Sequence, residues 1–370
     1  MGGSPDEMTS VQIVCPTASV GTFSTKSCGV NMSILRGVLM VGALIGATTS
    51  SPAPVAIPSI LSARISEGHF QPGDYAWARG AFPGATPTQV ADWSSVQAFV
   101  RSCRGLVPDD RRLELTKLGI KPPADYWRDY ADDVCAETAI ARSTTRGFAT
   151  WESYQAAMRE ALPVYDALAF AAEQTRKSSP LKAGTLRDQL VSITAPDQIL
   201  RVAMAWNSGG EGGKPRISPD AQRIVVTLLA RPARAFDHAN TLWLKEIVRE
   251  SGWPKISVVG AVAASHAWMV AQHSDDDPAF QVYALKLMQP LLETGEVSRS
   301  DFALLYDRVM LPLTGRQKYG TQFTCKDGAW TPEPTEDAAK LDELRGSMGL
   351  STLSEYKKQL IGLYGAKCED

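Results

Sequence analysis

At 370 residues, 44% apolar and 21% charged, the chain has the make-up of a globular protein rather than a disordered or fibrous one. It is long enough to bury one large core or two modest ones. Its 38 Lys and Arg against 40 Asp and Glu leave a net charge of −2. That balance gives no general pull towards nucleic acid or anionic lipid, and no nucleic-acid partner is expected.

The first expected element is a leader. From Met32 a short start carries one positive residue, Arg36, and is followed by an apolar run over 37–47 and the small polar stretch Thr48-Thr49-Ser50-Ser51-Pro52-Ala53. This is the layout of a secretory signal peptide, assigned to 32–56, and residues 1–31 read as a non-native upstream extension. The apolar run falls short of the about 20 residues a spanning helix needs, so no stable membrane span is expected in the mature form. An exported protein, periplasmic or secreted, is the expectation. Removing the leader leaves Cys103, Cys135, Cys325 and Cys368, an even number that suits an oxidising compartment. Three connectivities are possible, and Cys103–Cys135 with Cys325–Cys368 is favoured because each pair ties off a local region. None of the four has CxxC spacing or a neighbouring histidine, which argues against zinc and thiol catalysis.

An N-terminal helical region is expected over 65–206. Thr86-Pro87-Thr88-Gln89 starts a helix: Thr86 caps, Pro87 fits the first turn and Gln89 reaches back. It should run to about Arg104 with Val90, Trp93, Val96 and Val100 on one face. A second helix is expected over 122–142 around Trp127 and Tyr130, a longer amphipathic one over 151–174, and short ones near 183–192 and 196–206. The loop 207–217 is glycine-rich and superficially resembles a phosphate-binding loop. Ser208 stands where the first glycine is needed, however, and Pro215 replaces the hydroxyl that would hold magnesium, so no nucleotide is expected.

Over 218–366 the pattern is strongly helical. Residues 221–251 form one long helix, broken near Arg231-Pro232. The run 257–272 is apolar nearly all round and predicts a central buried helix. Asp277 caps the next helix, with Pro278 at its first turn, and Gly295 ends it. Another helix covers 298–311, and Thr352-Leu353-Ser354-Glu355 opens a C-terminal one. A small β-hairpin is expected near 322–330, with Asp327-Gly328 as its turn. The fold class is mainly α, a bundle-like multi-helix globule.

From Asp237 onwards the chain resembles bacterial domain-of-unknown-function family 6624. The residues that carry the likeness are Asp237, Asn240, Gly252-Trp253-Pro254, Gly260, Gln272-His273, Phe280-Gln281, Asp307-Arg308 and Tyr319-Gly320-Thr321-Gln322. Pro334, Asp337, Arg345 and Tyr356 continue it. The resemblance covers about 235–360 and implies a module, with no activity attached.

The chemistry candidates lie in that module. His273 ends an apolar helix, where an imidazolium is favoured by the dipole and can bond unpaired carbonyls. With Asp275, Asp276 and Asp277 beside it, the ring can also be oriented for acid/base work, Asp276 standing for the orienter. His266, seven residues earlier on the same helix, reads as a core histidine, and about 10 Å of rise separates it from His273, too far for a shared metal. No metal and no cofactor is expected. Arg308 can fork onto a carboxylate or phosphate, and equally can lock helices together. Gln281 and Gln322 offer both donor and acceptor, Tyr319 opens a tight turn, and Trp253 can wall a pocket. His273, Gln281 and Gln322 are expected to border one concavity with Arg308 at its wall. Two function classes follow: an acid/base enzyme acting on a polar envelope substrate, and a non-catalytic envelope module that binds a small molecule, peptide, glycan or protein partner.

Overall fold

The computed structural model describes residues 56–66, 69–103, 109–123, 133–179, 184–208, 215–366 and 368. The leader up to residue 55, the segment around Trp127 and Tyr130, and the glycines of the 207–217 loop lie outside the described residues. The rest is mainly α. In chain order it runs through α1 (Ser59–Ser62), a two-residue antiparallel pair β1 (Ile65–Ser66) and β2 (His69–Phe70), a 3-10 segment (Ala76–Ala81), α2 (Pro87–Cys103), α3 (Asp109–Lys117), α4 (Asp133–Thr144) and α5 (Trp151–Ser178). Then follow α6 (Leu186–Ile193), α7 (Ala195–Met204), α8 (Pro219–Ser251), α9 (Ile256–Val259), α10 (Ala261–His273), α11 (Pro278–Met288) and α12 (Arg299–Thr314). The hairpin β3 (Phe323–Lys326) and β4 (Ala329–Pro332), α13 (Leu341–Ser347) and α14 (Leu353–Tyr364) complete the order.

Local chemistry accounts for the boundaries. Thr86 and Gln89 make the expected reciprocal bonds at the start of α2, and Thr352 with Glu355 does the same for α14. Asp277 caps α11 through the Phe280 N–H at 3.0 Å. Asp327 and Gly328 both take positive φ, 54° and 74°, and form the expected hairpin turn, and the second strand runs two residues beyond the expected end, to Pro332. Both favoured disulfides are present: Cys103–Cys135 ties the end of α2 to α4, and Cys325–Cys368 ties β3 to the C-terminal segment.

Three expectations are corrected. Val90 is 46% exposed, because it stands one residue off the buried stripe that steps through Trp93, Val96, Val100 and Cys103. The helix expected to break near Pro232 does not: α8 runs 33 residues through it. An internal proline costs about 3 kcal/mol, but Leu228, Leu229 and Phe236 flank it in the core, and each buried side chain of that size stabilises by about 1.5–3 kcal/mol. The run 257–272 divides at Gly260, whose φ of 83° and ψ of 157° leave α9 as a single turn before α10. It is also open on one side, with Val258 72% and Val262 62% exposed.

The buried apolar residues form two cores. One gathers α2, α4, α5, the inner face of α7 and the first half of α8, from Ala221 to Phe236. The other gathers Leu190 and Ile193 of α6, Leu244 and Val248 at the far end of α8, and the facing sides of α9 to α12. Helix α8 therefore serves both. Where it passes from one to the other, at Asp237 and Thr241, the neighbours are polar.

Candidate functional site

The centre of the polar layer is built from three helices. Helix α7 supplies Asp197 in its first turn and Arg201 one turn later, a spacing that places the two side chains on one face. Arg201 Nε donates to both Asp197 oxygens at 2.7 and 2.8 Å. Its Nη2 donates to both oxygens of Asp237, from α8, at 2.8 and 2.9 Å. One guanidinium thus bridges two carboxylates. His273, at the end of α10, turns Nδ1 towards the same pair, 3.5 Å from Asp197 Oδ2 and 3.8 Å from Asp237 Oδ1. His273 and Asp197 are buried, and Asp237 is partly open to solvent.

The turn between α10 and α11 adds a rim. Asp275 takes a two-pronged contact from Arg308 of α12, with Nε at 3.0 Å. Gln281 Nε2 reaches Asp275 Oδ1 at 3.2 Å and the carbonyls of Ala271 and Gln272 at the end of α10. Asp276 pairs with Arg234 and Asp277 with Lys245. Ser274 and Thr241 share a hydroxyl–hydroxyl bond of 2.7 Å. On α8 the residues that meet this turn are 234, 237, 241 and 245, one stripe at helical spacing.

Charge in the layer is unevenly compensated. Among the described residues Arg308, Arg234 and Lys245 each pair with one aspartate, while Arg201 is shared by two. Burial opposes the ionisation of Asp197, yet hydrogen bonds and charge from His273 and Arg201 hold its carboxyl below the usual range. Asp237 is pushed well up: burial comes first, Arg201 pulls back, and the negative charges of Asp197 and Asp275 push further. The His273 imidazole is pushed down by burial and by Arg201 and Arg308, against the pull of Asp197. An acid raised and a base lowered approach each other in proton affinity. A proton can then pass between neighbours at small cost.

Asp197, Asp237 and His273 each offer one ligand atom, all within 4.8 Å of one another. Zinc bonds of about 2 Å are compatible with such a span. A divalent ion would have to draw both carboxylates away from Arg201, whose charge already serves them.

The expected site residues fall in three places. His273, Gln281 and Arg308 meet in this layer, linked through Asp275 and Arg201. Asp276 does not orient His273: it is engaged by Arg234, and the carboxylate nearest the ring is Asp197. Tyr319 and Gln322 belong to a different arrangement. There Asp307, fully buried, accepts the backbone N–H groups of Lys318, Tyr319 and Thr321 at 2.7–3.1 Å. Arg345, also fully buried, donates to the carbonyls of Tyr319 and Gly320, and Gln317 bonds both backbone groups of Gln322. Gly320, at φ 65°, lies against Leu341 and Leu353 so closely that a Cβ would stand 3.2 Å from their methyls. The Tyr-Gly-Thr-Gln turn is therefore clasped by buried charges. Among the described residues no hydrogen bond or ion pair joins Tyr319 or Gln322 to His273. Asp307 and Arg308, adjacent on α12, look to different networks: Asp307 holds the turn and Arg308 the rim. Trp253 walls a separate cavity beside α9 and α10.

Asp197, Arg201, Arg234 and Thr241 were not singled out from the sequence. The signals were there: an Asp–Arg pair four apart on a short amphipathic helix, and a polar stripe interrupting the buried face of α8.

No solved structure matches the chain. The residues that carry its resemblance to family 6624 include Asp237, His273, Gln281 and Arg308, which meet in the polar layer. The family's sequence profile matches residues 185–369, half of the 370, and so takes in Asp197 and Arg201 as well. The chain belongs to the family of unknown function DUF6624.

Proposed function

We propose that this is an exported protein whose His273 centre performs acid/base chemistry on a polar substrate of the cell envelope. One observation carries the reading: an imidazole faces two carboxylates from two other helices, and one shared arginine bridges them. With Nδ1 held towards Asp197, Nε2 is the nitrogen left to take a proton from a substrate hydroxyl or water. Asp237, with its raised proton affinity, is the group to return one. The rim is accessible, since the Asp275 side chain is 41% exposed and Asp276 30%. Gln281 is fully buried beneath it. A shallow charged rim over a buried base suits an extended polar chain laid across the surface. Export is supported by the two disulfides, which persist in oxidising compartments, and by the leader layout at 32–56.

The test is incubation of the purified, disulfide-bonded protein with peptidoglycan sacculi and with soluble glycan and peptide fragments of them, followed by mass spectrometry of released products. Wild type should release product, and His273→Gln and Asp237→Asn should each slow it by about 100-fold or more. Equal rates in wild type and His273→Gln would refute the acid/base role. Co-sedimentation with sacculi without any product would favour the non-catalytic binding module instead.

A further inference from the structure

A second concavity lies towards the other end of α10, with a volume of about 350 Å³. That is the size of pocket that encloses a small organic molecule. Its walls include the indoles of Trp253 and Trp268 and the side chains of Met269 and Met288. Besides the hydroxyls of Ser265 and Ser298, two ionisable side chains interrupt this apolar lining, His266 and Asp301. Both come from outside the layer around His273, and neither has a part in the acid/base reading.

The chemistry of the wall selects a charge. Asp301 is 3% exposed, and its carboxyl is held by the hydroxyls of Ser265 and Ser298. Among the described residues, none that lines the cavity is Lys or Arg. His266 is tied through Nδ1 to Thr194, and burial pushes its imidazole down, so it is uncharged at neutral pH. Indole faces attract cations and bring no compensating negative charge of their own. An anion would meet a carboxylate in an apolar cavity with no cation in the lining to receive it. A neutral ligand would leave the carboxylate's charge in place. A cationic head group would meet Asp301 while its apolar body packs on the tryptophans and methionines.

We propose that this cavity binds a small organic ammonium compound, its nitrogen on Asp301 and its apolar body between Trp253 and Trp268. The rim is apolar and open, with Val262 62% exposed, so the body of the ligand can enter from that side. Burial pushes the Asp301 carboxyl up to about 6. Binding of a cation should therefore strengthen as pH rises from 5 to 7.5 and the carboxylate forms.

Three probes of matched shape separate charge from size: phenethylamine, 2-phenylethanol and phenylacetate, titrated into the purified full-length protein and followed by calorimetry and tryptophan fluorescence at pH 7.5. The amine should bind at least about 10-fold more tightly than the alcohol, and phenylacetate most weakly, in keeping with a desolvated cation–carboxylate contact. Asp301→Asn should bring the amine down to the affinity of the alcohol while alcohol binding persists. Val262→Arg places a cation at an exposed rim position that does not support the core, and should weaken the amine about 5-fold or more through like-charge repulsion. Equal affinity for amine and alcohol, an amine preference that survives in Asp301→Asn, or no binding of any probe up to about 10 mM, a limit weaker than that of an ordinary small-molecule site, would each overturn the proposal. The readout is binding alone, so the result stands whatever the outcome at His273.

Discussion

Replacing Arg201 with Met should expose how much the polar layer depends on one cation. The guanidinium donates four contacts of 2.7–2.9 Å, two to Asp197 and two to Asp237. Methionine keeps much of the side-chain length and removes all of them. Asp197 is then a buried carboxylate left with the Gln198 Nε2 donor at 3.1 Å and the imidazole of His273. Breaking a buried pair by deleting one partner costs about 3–5 kcal/mol. The lower end applies here, because the Asp237 side chain is 22% exposed and water can take up part of its charge. About 3 kcal/mol is a substantial part of the stability of an ordinary domain. The loss should also depend on pH in a defined direction. Without Arg201 both carboxyl pKa values rise, so the folded variant binds protons more tightly than folded wild type does, while the unfolded chains are alike. Its deficit should therefore be largest at pH 7.5 and shrink as pH falls towards 4.5. Urea unfolding under non-reducing conditions at both pH values, followed by circular dichroism, measures this. The triple variant Arg201→Met, Asp197→Asn, Asp237→Asn should recover part of the loss at pH 7.5. A deficit below about 1 kcal/mol, or one that does not change with pH, would refute the account of a layer held by shared charge.

Other expectations can be checked in the same preparations. Asp307→Ala leaves the N–H groups of Lys318, Tyr319 and Thr321 without their acceptor, at about 1–3 kcal/mol for each one left unsatisfied; hydrogen exchange at these three amides should accelerate ahead of the rest of the chain. The Asp301 carboxyl, raised from 3.8 to about 6, favours the fold in its protonated form, so wild type should lose about 2 kcal/mol relative to Asp301→Asn as pH rises from about 4 to 7; parallel pH–stability curves would show that Asp301 is not buried as described. The double variant Cys325→Ser, Cys368→Ser opens a 43-residue separation and should lower stability by up to about 4 kcal/mol, seen as an earlier urea midpoint.

Much of the fold could be read in advance because its signals are local. Caps at Thr86, Asp277 and Thr352, the Asp327-Gly328 turn and the even cysteine count each rest on a few neighbouring residues, and each is found in the structure. What misled was competition between local and long-range terms. Pro232 is a helix breaker on its own account, and the buried residues of one core on either side of it outweigh that cost. Gly260 reads as a tolerated small residue in an apolar run, whereas its positive φ turns the chain. The candidate site was legible in part for the same reason. His273, Gln281 and Arg308 lie within 36 residues of one another and share a set of helix ends. Asp197 and Asp237, which face the imidazole, come from two other helices, and only the packing of α7 against α8 puts them there. The Tyr319–Gln322 turn looked like part of a pocket because its polar groups needed partners; Asp307, Gln317 and Arg345 meet that need.

The reach of α8 sets a limit on how this family's shared half can be handled in isolation. At 33 residues it is about 50 Å long, a rod with one end in each core. The matched region begins at residue 185, after α5, which lies along the first half of that rod. A chain cut there would keep Asp197, Asp237 and His273 but strip the cover from Ile224, Val225, Leu228 and Leu229, now buried to 1% exposure or less. Such a bare stripe would seek water-free company, in a second copy or in an aggregate. In this protein the N-terminal helices are the jacket over that stripe, packed on the same helix that carries Asp237 opposite the imidazole.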